Sequence, residues 1–264
     1  MFGKKKEVEE IIEREDGLTD YDVYIMGGTE KIVNIILAAV VLFTVGYIFY
    51  HSIPLSALLM LFALKWPKIR TRQIIEKRKG QLTLQFKDML YSLASALSVG
   101  KSVEIGIQDA LKDLMVIYPD PQTDILLELG YILRGIGMNC TVESMFSQFA
   151  ERAHLEDIDN FVDIFVTCKR TGGDLMEVMR STSNTIGEKI EVKHEIETTI
   201  SGKKYEFNLM MVLPVVMVLF LTLTSGDYMK PVFTTIVGKI AMTVAIAIFG
   251  LSYLVGSKVM KITV

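Results

Sequence analysis

The sequence predicts an all-α integral membrane protein, with four transmembrane helices and one cytoplasmic six-helix bundle inserted between the second and the third. Half of the 264 residues are apolar and the mean hydropathy is +0.37, values that soluble domains rarely reach. The apolar residues are concentrated in four stretches. Between the second and third stretches, about 140 residues show helical periodicity and almost no alternation of β-branched residues.

The four apolar stretches set the predicted spans, and they comprise residues 32–50, 53–66, 207–225 and 240–257. At about 1.5 Å per residue, the first, third and fourth reach roughly 27 to 29 Å, close to the roughly 30 Å thickness of the hydrocarbon core. The second has 14 residues and reaches about 21 Å. This length fits a re-entrant segment as well as a complete span.

Basic residues indicate the side of the membrane on which each connection lies. Residues 65–80 contain seven cations and one acid, which is typical of a cytoplasmic flank. Cations also lie at both ends of the chain, namely Lys4, Lys5, Lys6, Arg14, Lys31, Lys258 and Lys261. An even number of spans places all three basic regions in the cytoplasm, with residues 50–52 and 226–231 as outer connections. Three spans with an external N-terminus are the alternative.

These boundaries divide the chain into five segments. They are a cytoplasmic polar N-terminal segment (1–31), a transmembrane hairpin (32–66), a cytoplasmic helical bundle (67–206), a second transmembrane pair (207–257) and a cytoplasmic tail (258–264). The first segment carries nine acids and five cations, and no function is predicted for it.

The helices of the bundle are predicted from apolar stripes and from residues that start or stop a helix. Apolar residues at spacings of three and four mark the first helix: Leu82, Phe86, Met89, Leu90, Leu93 and Leu97. Gly100 is expected to stop it, and Ser102 to cap the next helix, 103–115. Thr141 is expected to start the fourth helix and Asp174 the sixth. The sixth helix is expected to continue into the third span.

Charge is distributed unevenly along the cytoplasmic part. Residues 81–206 hold twelve cations and twenty acids, whereas the basic stretch before them suits anionic lipid headgroups. An acidic bundle is a poor match to nucleic acid, because phosphates attract the opposite charge. Two interpretations of the acidic surface stay open: a solvated surface, or a docking surface for a basic partner.

The stretch 98–102 is similar to the end of a phosphate-binding loop. The complete motif needs a glycine where this chain has Ser95, and it follows a strand rather than a helix. A helix stop followed by a helix cap is therefore the favoured interpretation. We expect no catalytic residue, no cofactor and no enzymatic activity, ATP hydrolysis included.

The sequence gives little indication of a metal site or of ion-coupled transport. The histidines are His51, His154 and His194, and they lack metal-ligand spacing. Cys140 and Cys168 are 28 positions apart and are expected to be reduced. No acid lies within the four apolar stretches, although ion-coupled transporters usually carry buried carboxylates there. A transporter or channel subunit and a membrane enzyme acting on lipid are the alternatives from other classes.

Three segments carry a resemblance to a known family. They are 165–178 (Phe-Val-Thr-Cys-Lys-Arg-Thr-Gly-Gly-Asp-Leu-Met-Glu-Val), 85–88 with 95–100, and 227–233 (Asp-Tyr-Met-Lys-Pro-Val-Phe). Together with spans on both sides of one bundle, they resemble the type II secretion system F-domain family. Members of this family usually carry two such bundles, so a chain with one is similar to the TadB-like platform proteins of tight-adherence (Flp-type) pilus systems.

The resemblance implies a non-enzymatic platform in the inner membrane that couples a cytoplasmic secretion ATPase to pilin assembly or export. It implies as partners that ATPase, a paralogous platform protein, pilin subunits and membrane lipid, in an oligomeric assembly. Within the segment 165–178, Gly172, Gly173 and Asp174 are expected to form a structural turn. Lys169, Arg170 and Thr171 are expected either to contact the ATPase or only to support this turn.

Overall fold

The structure is a computed structural model that describes residues 18, 20–24, 26–61, 63 and 66–259. Several basic residues used above to predict the topology lie outside the described residues, namely Lys4, Lys5, Lys6, Arg14, Lys65 and Lys261.

The described residues form ten helices and no strand, which confirms the prediction of an all-helical protein. The helices are α1 (Gly28–Tyr50), α2 (Ile53–Met60), α3 (Trp66–Ser98), α4 (Val103–Ile117), α5 (Asp124–Gly137), α6 (Val142–Ala153), α7 (Glu156–Thr171), α8 (Leu175–Thr224), α9 (Gly226–Thr234) and α10 (Ile236–Val259).

The chain divides into two compact units. The packed unit comprises Thr71–Glu191 together with the described residues up to Tyr24. The apolar unit comprises Met26–Arg70 and the described residues from Val192 onward. Helices α3 and α8 each contribute residues to both units.

The packed unit has one apolar core, to which each of the helices α3 to α8 contributes residues. The predicted stripe on α3 lies in this core: Leu82, Phe86, Met89, Leu90 and Leu93 are fully buried. Phenylalanine rings from α3, α6 and α7 meet at the centre, with neighbouring ring centroids 5.3 to 6.0 Å apart. Such aromatic pairs each contribute about 0.5 to 1.5 kcal/mol beyond the area that they bury.

Pairs of side chains show that successive helices of the packed unit run in opposite directions. Arg152 near the end of α6 pairs with Glu128 in the first half of α5. Lys169 near the end of α7 pairs with Glu143 at the start of α6. Lys189 in α8 pairs with Asp157 at the start of α7. Because the helices alternate, the connections 99–102, 138–141 and 172–174 lie together at one end of the unit, which we call the turn end.

The apolar unit contains the candidate membrane spans. Among the described residues, three helices are long and apolar enough to cross a membrane: α1, α8 over part of its length, and α10. The sequence predicts a fourth span at 53–66, but α2 has only eight residues and is about 12 Å long. After α2 the backbone tightens into 3-10 turns at Leu61 and Ala63.

The two predicted outer connections lie at the same end of the apolar unit. The ring of His51, after α1, stacks on Phe233 in α9 with centroids 4.7 Å apart. Tyr50 donates a hydrogen bond to Thr243 Oγ1 near the start of α10, at 3.0 Å.

The second connection, predicted as a loop over 226–231, is instead the short helix α9. Asp227 lies in its first turn, where a negative charge favours helix formation, and pairs with Lys230 one turn later. This local pairing favours the helical conformation of the segment by a few tenths of a kcal/mol.

Candidate docking site at the turn end of the packed unit

The segment 165–178 folds into the end of α7, a tight turn and the start of α8. Gly172 adopts the left-handed conformation, with φ 74°, and its N–H donates to the carbonyl of Cys168. The N–H of Gly173 donates to the same carbonyl at 2.9 Å. Asp174 Oδ1 accepts hydrogen bonds from the N–H groups of Met176 and Glu177, at 2.9 and 3.2 Å, and thereby caps α8.

The two glycines of this turn are required for different physical reasons. Gly172 is at positive φ, where residues with a Cβ are strained by roughly 1 to 2 kcal/mol. Gly173 is limited by space, because a Cβ there would lie 2.7 Å from Cys168 Sγ. Of the two glycines, Gly172 is therefore the one whose backbone conformation requires glycine.

Replacing Gly173 by alanine is expected to destabilise the packed unit by about 1 kcal/mol, at the low end of the usual cost of overpacking. The same replacement in a Cys168→Ala background is expected to cost almost nothing, since the opposing sulfur is gone. Thermal unfolding of the wild type, both single variants and the double variant measures this coupling. Equal costs of Gly173→Ala in both backgrounds would contradict the steric explanation.

Four charged residues lie close together at the turn end. Lys169 Nζ is 2.9 Å from Glu143 Oε2, and the Lys169 side chain is 31% exposed. Burial disfavours the charged form of Glu143, but the hydrogen bond from Lys169, a backbone hydrogen bond, and attraction by Lys169 and Arg170 together lower its pKa. A backbone hydrogen bond and one from Ser102, helped by attraction to Lys169, also lower the pKa of Glu104.

The three predicted contact residues therefore have different roles within the packed unit. Lys169 is engaged in the ion pair with Glu143. The hydroxyl of Thr171 donates to the carbonyl of Thr167 at 3.0 Å. Arg170 is exposed, and it is the residue of the three that is best placed to meet another protein.

The remainder of the turn end supplies exposed apolar surface around this charge. Val99, in the connection between α3 and α4, is 70% exposed, and Met138, after α5, is 76% exposed. An exposed arginine at the same end of the unit as exposed apolar side chains is a composition found in protein interfaces. We therefore take the turn end as the candidate docking site.

The stretch similar to a phosphate-binding loop connects two helices. Gly100 is at φ 80°, and Ser102 Oγ accepts from the N–H of Ile105 at 3.4 Å, which caps α4. Lys101 Nζ pairs with Asp109 at 2.6 Å. The segment thus has the geometry of a helix stop and a helix cap, and its lysine has a partner.

The residues with metal-binding side chains are dispersed. In the part of the chain that the structure describes, no three histidine, cysteine or acidic residues are grouped to hold a metal ion. Both cysteines are free thiols, with Cys140 exposed and Cys168 half-buried.

A buried polar network at the opposite end of the packed unit was not predicted. Glu128 in α5 is fully buried and Arg152 in α6 is 1% exposed. Arg152 Nη2 lies 2.5 Å from Glu128 Oε2, and its Nε donates to Oε1 at 3.2 Å. Tyr21 donates to the same Oε1 at 3.2 Å. Burial raises the pKa of the Glu128 carboxyl, and hydrogen bonds from Arg152 and Tyr21 oppose this rise.

The sequence does contain a signal for this network. Glu128 lies three residues after Ile125 and four before Ile132, so it shares the apolar stripe of α5. Arg152 lies three residues after Phe149, in the apolar stripe of α6. A charged residue at a core position on each of two neighbouring helices suggests a buried ion pair.

Comparison with known proteins identifies no relative of this chain. No family model, no curated protein and no solved structure matches it.

Proposed function

We propose that this chain is an inner-membrane platform of a tight-adherence machine, related to type II secretion and type IV pilus systems, which couples a cytoplasmic ATPase to pilin assembly or export. The observation that supports this is the exposed turn at residues 171–174, within the segment 165–178. Helix α8 begins at this turn and continues for 50 residues into a candidate span. A continuous helix is suited to transmit a force from a docking site to a membrane segment.

The proposed platform crosses the membrane four times, with the packed unit and both termini in the cytoplasm. The contact between His51 and Phe233 supports this topology, because it places both outer connections at one end of the apolar unit. With three spans, the turn after α1 and the helix α9 would lie on opposite sides of the membrane. Residues 53–66 must then return the chain across the membrane, α2 supplying part of that path.

Cysteine accessibility in intact cells tests the topology. In a background with Cys140 and Cys168 replaced by serine, Ser52→Cys and Asp227→Cys are expected to react with a membrane-impermeant maleimide from outside. Glu188→Cys is expected to react only after permeabilisation. The three-span alternative predicts labelling of position 227 with protection of position 52, and this result would contradict four spans.

Charge reversal at the turn end tests the docking site. Arg170→Glu is expected to reduce co-purification of the secretion ATPase at least tenfold, because arginines at interface centres often contribute about 2 kcal/mol or more. The melting temperature should change little, since Arg170 is exposed and its attraction to Glu143 is screened by solvent. Normal recovery of the ATPase with Arg170→Glu would remove the contact hypothesis.

A matched control separates loss of contact from loss of fold. Lys169→Glu alone breaks the ion pair with Glu143 and places a third acid near Glu104, so it is expected to lower stability. Adding Glu143→Lys restores an ion pair in which the two charges have exchanged positions, and it should recover the melting temperature. ATPase binding by this swapped variant shows whether the charge of Lys169 itself contributes.

A further inference from the structure

The N-terminal residues 20–22, Asp-Tyr-Asp, lie against the end of the packed unit that is opposite the turn end. Asp22 pairs with Lys79 of α3. On the other side, Asp20 Oδ2 is 3.2 Å from Nε2 of His154, the residue that ends α6. The two acids thus contact two different elements.

Tyr21, between these acids, occupies a socket with charged walls. Its side chain is almost completely buried, and the guanidinium of Arg78 lies over its ring at 4.6 Å from the centroid. Its hydroxyl donates to Glu128 and its backbone N–H donates to the carbonyl of Arg152, at 3.1 Å. The ring, the hydroxyl and the backbone are therefore each recognised by a different group.

Residues 20–24 contact the helices of the packed unit as a separate non-helical segment. Their side chains fit charges that belong to the helices. Arg78 is itself held by Asp124, with Nη2 and Oδ1 2.6 Å apart. Arg152 and Glu128 hold each other, so the walls of the socket are ordered by contacts other than those with Tyr21.

We propose that this face, formed by Arg78, Lys79, Glu128, Arg152 and His154, is a peptide-binding site that the chain's own Asp-Tyr-Asp segment occupies. The partner that it fits is a protein segment with a tyrosine between two acidic residues. The N-terminal segment is then an intrachain competitor that such a partner must displace. This inference is independent of the proposed platform function.

Competition between the chain's own segment 20–22 and a free peptide can be measured because the two differ in effective concentration. A ligand that belongs to the same chain as its site acts at an effective concentration set by the connecting segment, so it competes with any free ligand. A free peptide of the same sequence therefore binds the wild type weakly. Once the tethered tyrosine is removed, the same peptide should bind much more tightly.

The experiment uses the full chain in detergent and a fluorescent synthetic peptide of residues 16–26. Fluorescence anisotropy is measured with the wild type, with Tyr21→Ala, and with Asp20→Ala combined with Asp22→Ala. The peptide is expected to bind Tyr21→Ala at least tenfold more tightly than the wild type. The double aspartate variant should be intermediate, and it retains Tyr21 in the core if Tyr21→Ala is too unstable to purify.

Two controls give the test its specificity. A peptide with alanine in place of the tyrosine should not bind Tyr21→Ala, and adding Lys79→Glu to that variant should weaken binding of the normal peptide. Equal affinity of the normal peptide for the wild type and for both groups of variants would overturn the proposal. Equal binding of the peptide without tyrosine would overturn it as well.

Discussion

Arg152→Ala is expected to lower the free energy of unfolding by about 3 to 5 kcal/mol, the cost of leaving a buried charge without its partner. The carboxylate of Glu128 is fully buried, and the substitution removes its ion-pair partner. Arg152 also lies over the ring of Tyr131, 4.8 Å from its centroid, so packing is lost too. Thermal or denaturant unfolding measures the effect, and Arg134→Ala, at an exposed position of α5, is the matched control.

The difference in free energy of unfolding between the wild type and Arg152→Ala should become smaller as the pH falls. Burial already raises the pKa of Glu128 above its ordinary value of 4.5, and loss of Arg152 raises this pKa further. A carboxyl with a raised folded-state pKa binds its proton more tightly in the folded protein, so this group favours folding increasingly as the pH is lowered. When the free energy of unfolding is measured from pH 7.5 down towards 4.5, the values for the wild type and for Arg152→Ala should approach each other.

Removing both charges distinguishes a missing interaction from a damaged core. Glu128→Leu combined with Arg152→Met is expected to recover part of the stability lost in Arg152→Ala, because no uncompensated charge is left and the remaining cost is the Tyr21 hydroxyl that loses its acceptor. A double variant as unstable as the single one would contradict this explanation.

Gly172→Val is expected to lower the free energy of unfolding by about 2 kcal/mol and, under the proposed platform function, to abolish pilus assembly. A β-branched residue at φ 74° is strongly disfavoured, and strained residues of this kind cost about 1 to 3 kcal/mol. If the turn does form, its altered angle changes the direction in which α8 leaves α7. Unfolding measurements and pilus counts on cells measure the two effects.

Gly172→Asn is the matched control for this variant. Asparagine tolerates the left-handed conformation better than other residues with a Cβ, and the structure leaves open space around this position. Near-normal stability and pilus assembly are therefore expected for Gly172→Asn. Wild-type behaviour of Gly172→Val would remove the argument that this turn sets the helix direction.

The sequence predicts well those features that depend on residues close together in the chain. The stripe on α3 is buried, and Ser102 and Thr141 accept hydrogen bonds at the first turns of α4 and α6. Both kinds of feature follow from helical spacing and local hydrogen bonding over three or four residues. The position of Gly172 at positive φ follows from the same local rules.

Features that depend on distant residues are not predicted. The socket for Tyr21 brings together residues 107 positions apart, and the ion pair between Lys169 and Glu143 spans 26. Helical periodicity shows which face of a helix is buried, but not which neighbour meets it. Recognition of the turn as a site comes from the resemblance, while the distinction between Lys169 and Arg170 needs the folded structure.

The reaction rates of the two free thiols can be used to measure local opening at the turn end of the native protein. Cys140 is exposed and should react with a thiol reagent at the rate of an ordinary cysteine, whereas Cys168 is half-buried and its sulfur faces the position of Gly173. Opening of the turn is therefore expected to speed the reaction of Cys168. The ratio of the Cys168 rate to the Cys140 rate is measured in one sample without any substitution. A fall in this ratio when a partner docks shows that the partner holds the turn closed.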